Sequence, residues 1–185
     1  VKSLPIHPLL SRYVQALVLQ DCSEPGEGTD APYRVLPKPY PVMGIQYRGR
    51  LRVLRGQRDL LLERAGITGL QRESRWFRGE AETRSMLVML QPAGAWALFG
   101  VSLNELADAH VGLADLLPPR EIRELEERID ASEAPRSINT AVQSFLLRAL
   151  ERSRQSVHPA IRAATSRLLM ERGNIRIEAL AAQLG

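Results

Sequence analysis

The chain has 185 residues, 44% of them hydrophobic and 25% charged, with a formal charge of +4. This is the balance of an ordinary globular protein of one domain or one and a half, and it excludes collagen-like or disordered chains. The longest apolar runs, such as Ala95–Val101, are too short to span a bilayer, and the single cysteine, Cys22, cannot form an internal disulfide or a cysteine-based metal cluster.

In chain order, the opening Val1-Lys2-Ser3-Leu4-Pro5 lacks the charged head and apolar core of a secretory signal, so with its lone thiol the protein is expected in the cytoplasm. Short extended pieces follow. Tyr13–Leu19 leads to an acidic Pro/Gly loop from Asp21 to Pro32. Beyond it come Tyr33–Leu36, Val42–Tyr47, Leu51–Leu54, Asp59–Leu62, Gly66–Leu70 and Leu87–Leu90. Gly49, Gly56, Gly66 and Gly79 punctuate them at turn-like intervals. Several short strands with regular turn signals predict a small barrel or sandwich. Between Arg48 and Arg84 ten arginines face five acids, a positive bias that permits an anionic partner without requiring one.

The second half reads as helical. Pro92–Phe99 is a short apolar helix ending at Gly100, and Ser102-Leu-Asn-Glu105 has the form of a capping box. Pro118-Pro119 opens an acidic helix to about Ala131. The next begins at Ser132 and Pro135 and places Ile138, Ala141, Val142, Phe145, Leu146, Ala149 and Leu150 at three-four spacing, so one stripe must be buried. A helix after His158-Pro159 turns Ile161, Thr165, Leu168 and Leu169 inward and stops at Gly173-Asn174. Ile175-Arg-Ile177 leads into a last helix, Glu178–Leu184. The expected fold class is α+β, a small β-rich half followed by a helical half.

No spacing motif for catalysis is present. His7, His110 and His158 lie far apart, and none stands three or four residues from another His or Cys, as a metal site would favour. A nucleophile elbow and a glycine-rich phosphate loop are both lacking. The acids from Glu121 to Glu127 read as a solvated helix face. The expectation is a protein that is not an enzyme and uses no metal or cofactor. The aromatic residues Tyr33, Tyr40, Tyr47, Trp76 and Phe77 concentrate in the strand-rich half, where they either fill a core or line a ligand cavity. Gln46, Tyr47 and Trp76 are the ligand-binding candidates. Gln46 opposes the face of Ile45 and Tyr47 on a strand, and exposure is the expected state of a glutamine. If Gln46 points inward, it needs a partner that a ligand could supply.

The tail from Gly173 to Gly185, with Leu180-Ala181-Ala182-Gln183-Leu184-Gly185, resembles the entry to the DNA-binding domain of AraC-type (AraC/XylS) transcription regulators, where such a helix is the first of a helix-turn-helix. His7-Pro8-Leu9-Leu10-Ser11-Arg12-Tyr13-Val14, Tyr33-Arg34-Val35-Leu36-Pro37, the segment from Gln91 to Val101, Ser102-x-x-Glu105-Leu106 and Leu113-x-Asp115-Leu116 are similar to successive parts of one subgroup. The sequence departs from the subgroup in having Lys38-Pro39-Tyr40 in place of an Asp-Gly pair, and Ala93-Gly94 in place of two glycines. The resemblance implies a cupin-like effector-binding module over residues 1–91, a helical linker and dimerisation region over 92–156, and the start of the DNA-binding domain over 157–185. It implies a homodimer that reads DNA through the full-length protein, a small-molecule effector, and a gene that continues past Gly185 to a recognition helix. Ile122, Leu125 and Ile129, on one side of their helix, are the candidate dimerisation residues. The alternative is a stand-alone ligand-binding or regulator-binding module without DNA-binding activity.

Overall fold

The structure is a computed structural model that describes residues 2–21, 31–55, 58–80, 82–132, 134–153 and 155–184. Cys22, most of the acidic loop, Gly56 and Gly185 lie outside the described residues. The strands are β1 (Lys2–Leu4), β2 (Val14–Asp21), β3 (Tyr33–Val35), β4 (Val42–Arg48), β5 (Leu51–Arg55), β6 (Arg58–Leu61), β7 (Ala65–Thr68), β8 (Arg75–Gly79), β9 (Arg84–Leu90) and β10 (His110–Gly112). The helices are α1 (Gly94–Phe99), α2 (Leu113–Leu116), α3 (Pro119–Asp130), α4 (Pro135–Arg152), α5 (Pro159–Met170) and α6 (Ile177–Leu184).

The fold is α+β, as the periodicity predicts. Two antiparallel sheets form the N-terminal half and helices form the C-terminal half. The larger sheet has the order β1-β2-β9-β4-β7-β10 and the smaller the order β3-β8-β5-β6. They are separate sheets, and among the described residues no ladder closes them into a barrel. The short link from β4 to β5 carries the chain from one to the other. Its turn needs Gly49, whose φ of 61° is left-handed and whose missing side chain leaves room for Thr83. Thr83 is fully buried, and its hydroxyl lies within hydrogen-bond distance of the carbonyls of Glu80 at 2.6 Å and Arg50 at 3.0 Å.

One face of the larger sheet is covered by helices. Leu17, Val88, Met43 and Ile67 form one row across β2, β9, β4 and β7, and all four are fully buried. Against these strands pack Ala95 and Leu98 of α1 and the stripe Ile138, Ala141, Val142, Phe145 and Leu146 of α4, in one continuous core. The α4 stripe is the one that three-four spacing requires to be buried. Ile122, Leu125 and Ile129 of α3 are buried in the same core within this chain. Arg64, just before β7, ties α3 to the sheet: its guanidinium forms a two-pronged pair with the Asp130 carboxylate and its Nε donates to the Gln46 carbonyl. The pair holds the Asp130 carboxyl below its ordinary range and raises Arg64, and the two directions agree.

Two local expectations differ from the structure. The Ser102–Glu105 capping box forms both its bonds, Ser102 N–H to the Glu105 carboxylate at 2.8 Å and Glu105 N–H to the Ser102 hydroxyl at 3.3 Å, yet only turns follow it. A cap satisfies orphan donors and cannot supply the length a helix needs. Ile161 and Leu169 of α5, both expected inward, are 56% and 37% exposed, and no residue of α5 is fully buried. Helix α5 ends at Met170, a little before Gly173-Asn174. Arg172 and Gly173 are both left-handed, and Gly173 N–H bonds back to the Leu168 carbonyl at 2.8 Å in a Schellman closure.

Candidate functional site

The second face of the larger sheet looks toward the smaller sheet, and between them lies a largely apolar chamber of about 230 Å³. Strand alternation decides which residues face it, because successive side chains point to opposite sides. Three rows run across the strands on this face. The first is Gln20, Ser85 and Gln46 on β2, β9 and β4. The second is Val18, Leu87, Gly44, Gly66 and Gly112 on β2, β9, β4, β7 and β10. The third is Met89, Val42, Thr68 and His110. The chamber is therefore polar along one edge and bare along its middle. Its opposite wall is the inner face of the smaller sheet, where Tyr33 and Phe77 are paired across β3 and β8 with stacked rings 6.0 Å apart at 25°.

The three glycines of the middle row do different things. A side chain at Gly66 would meet the His110 ring, with Nε2 at 2.6 Å, so the imidazole lies in the space that Gly66 leaves. A side chain at Gly112 would meet the Glu63 stem at 2.9 Å. A Cβ at Gly44 would touch only Leu87, at an ordinary 3.7 Å, so Gly44 leaves open chamber.

Polar groups border this space. His110 Nδ1 and the Thr68 hydroxyl are 2.9 Å apart, while Nε2 is buried and lacks a hydrogen-bond partner among the described residues. Burial holds this imidazole below its ordinary range, helped by the nearby Arg75 and opposed by Glu63. Leu62, Glu63, Gln71 and His110 also border a second, more polar recess at the open side of the sandwich, toward Trp76, Asp108 and Asp115. Among the described residues, no three or more His, Cys, Asp or Glu side chains are grouped so as to hold a metal ion, and no helix is long and apolar enough to cross a membrane.

The sequence candidates fall in three places. Gln46 borders the chamber and is 5% exposed, contrary to the exposure expected of a glutamine. Its amide finds partners inside the chain, donating from Nε2 to the Glu63 carbonyl at 2.9 Å and accepting from Leu51 N–H at 2.8 Å. Tyr47, on the opposite side of β4, is turned to the helix-covered core, and burial raises its phenol. Trp76 is 46% exposed and borders the outer recess. Of the aromatic residues that the sequence offers as core or cavity lining, Tyr33, Tyr40 and Phe77 border the chamber, whereas nothing in the sequence marks Gly44, Gly66, Ser85 and His110 as a site. Glycine inside a strand does carry a signal, since it marks a place where something approaches the backbone closely. Only the register shows that three such glycines are neighbours.

A family profile described as "Domain of unknown function (DUF6597)" matches residues 2–112, the span that holds the strands found among the described residues. No curated protein sequence matches the chain. Among solved structures, one titled "Crystal structure of the AraC-like transcriptional activator CuxR" is 17% identical with a TM-score of 0.37, over 83% of this chain and 62% of that one. The chain thus spans less than two thirds of the length of that protein.

Proposed function

The chain belongs to the DUF6597 family, and from that premise we propose that it is the effector-sensing portion of a transcription regulator of the AraC type. The observation that carries this reading is the chamber. A concave, mostly apolar space with a few polar groups at its edge is how proteins hold small molecules, and here it lies between the two sheets. The tail supports the regulatory half of the reading: α5, its glycine turn and α6 have the helix-turn-helix layout, and the residues of α6 resemble the first helix of that unit. In this reading α6 continues in the full-length protein to a recognition helix, and DNA is bound through that part, in the cytoplasm. Self-association through the helical half would use the outer surface of the α3–α4 hairpin, because Ile122, Leu125 and Ile129 are covered by the chain itself.

The test uses the product of the complete gene. Footprinting on the DNA upstream of the gene is expected to show a protected site, and Gly44→Leu, which fills the chamber, is expected to leave that site occupied while abolishing its response to small molecules. A complete product that protects no site, yet still binds small molecules in the chamber, would establish the stand-alone binding module instead.

A further inference from the structure

We propose that the chamber takes a flat, uncharged molecule of one or two fused rings with a hydrogen-bonding edge. This rests on reading the chamber as a small-molecule site. The two walls differ in a way that selects shape. One is the stacked pair Tyr33 and Phe77; the other is Leu87 beside the open backbone at Gly44. Aromatic faces favour offset stacking with another ring, and backbone without a Cβ lets a thin body approach where a globular one meets the strands. Size agrees. A cavity of roughly 150 Å³ accepts benzene, and this one, at about 230 Å³, has space for a second fused ring.

The polar groups select charge. A charge taken into an apolar space needs a partner ion. The polar row at the chamber edge, Gln20, Ser85 and Gln46, is neutral, and the charged residues that border the chamber, Lys38 and Glu63, are exposed at its rim. Gln46 is committed to Glu63 and Leu51. The Ser85 hydroxyl lies in a residue 4% exposed and bonds to no other described residue, which leaves it to meet the edge of a guest. At the other edge, in the row of Val42 and Thr68, the Nε2 of His110 is also without a partner among the described residues.

The experiment is calorimetric titration of the 185-residue chain with indole, and in parallel with 1-adamantanol (neutral but globular), benzoate and benzamidine. Indole is expected to bind at least tenfold more tightly than the other three. Ser85→Ala is expected to weaken indole about three- to tenfold, the loss of one hydrogen bond. Gly44→Leu is expected to abolish binding and Gly44→Ala to weaken it, each with a native far-UV circular dichroism spectrum as a check on folding. Adamantanol or a charged ring binding as tightly as indole would overturn the ligand class and leave the chamber standing as a site. No heat from any probe at millimolar concentration, or indole binding untouched by both Gly44 variants, would overturn the small-molecule site as well.

Discussion

The two faces of the larger sheet are built from alternate residues of the same strands, and they have opposite character. On one, Leu19, Met86, Ile45 and Ala65 form a row beside Leu17, Val88, Met43 and Ile67, every one buried beneath α1, α3 and α4. On the other, the corresponding rows read Gln20, Ser85, Gln46 and Val18, Leu87, Gly44, Gly66, Gly112. Large side chains interdigitate with a helix stripe and fill space to the density of a protein interior. Small and polar ones cannot, so the second face is held apart from its partner sheet and stays hollow. The contrast teaches that stability and recognition are divided between the faces of a single sheet, one residue apart.

Breaking the packed face should have the largest effect. Phe145 is 1% exposed and sits against Phe99 with ring centroids 6.4 Å apart. Phe145→Ala is expected to cost about 3–5 kcal/mol, read as a lower midpoint in urea unfolding. A loss under 1 kcal/mol would mean that the core is not shared between sheet and helices as described.

On the hollow face the effects should be smaller and should differ in sign between neighbours. Gly66→Ala pushes a Cβ into the His110 ring and is expected to destabilise by about 1–3 kcal/mol through overpacking. Gly44→Ala, one strand away in the same row, meets only an ordinary contact and is expected to stabilise by about 0.5–1 kcal/mol, because alanine has less freedom to lose on folding. If the two substitutions have the same effect in thermal melts, the open space at Gly44 is not there.

The smallest effect expected is on pH dependence. His110 has a folded pKa lowered by burial, so as the pH falls the unfolded chain takes up the proton first. The stability associated with a neutral His110 is complete above about pH 6.5 and declines below it. His110→Gln should flatten the stability profile below about pH 6.5. The carboxylates Asp130 and Glu105, both lowered, act with the same sign as His110 but lose their share only as the pH falls through the carboxylate range. An unchanged slope in the His110 variant would show that the imidazole is solvated.

Local pattern was enough for most of the elements, though not for β1, β8 and β10, which no apolar run marks. Short β-rich pieces broken by glycine made a two-sheet half, and the stripe from Ile138 to Ala149 made α4 with its apolar side buried, because both periodicities are written in neighbouring residues and need no knowledge of distant ones. The start of α3 at Pro119 and the stop of α5 near Gly173 are local in the same sense. The chamber is not. Gly44, Gly66 and Gly112 are far apart in the chain and become one row only when β4, β7 and β10 pair in this register. Gln46 looks like a surface glutamine until the turn to Leu51 and the carbonyl of Glu63 close around its amide. Ile122, Leu125 and Ile129 form a stripe that could face a partner or the chain itself, and only the position of α4 decides. Sequence specifies which side of each element is apolar; which apolar side meets which, and where none does, is set by strand pairing and packing between residues that the sequence keeps apart.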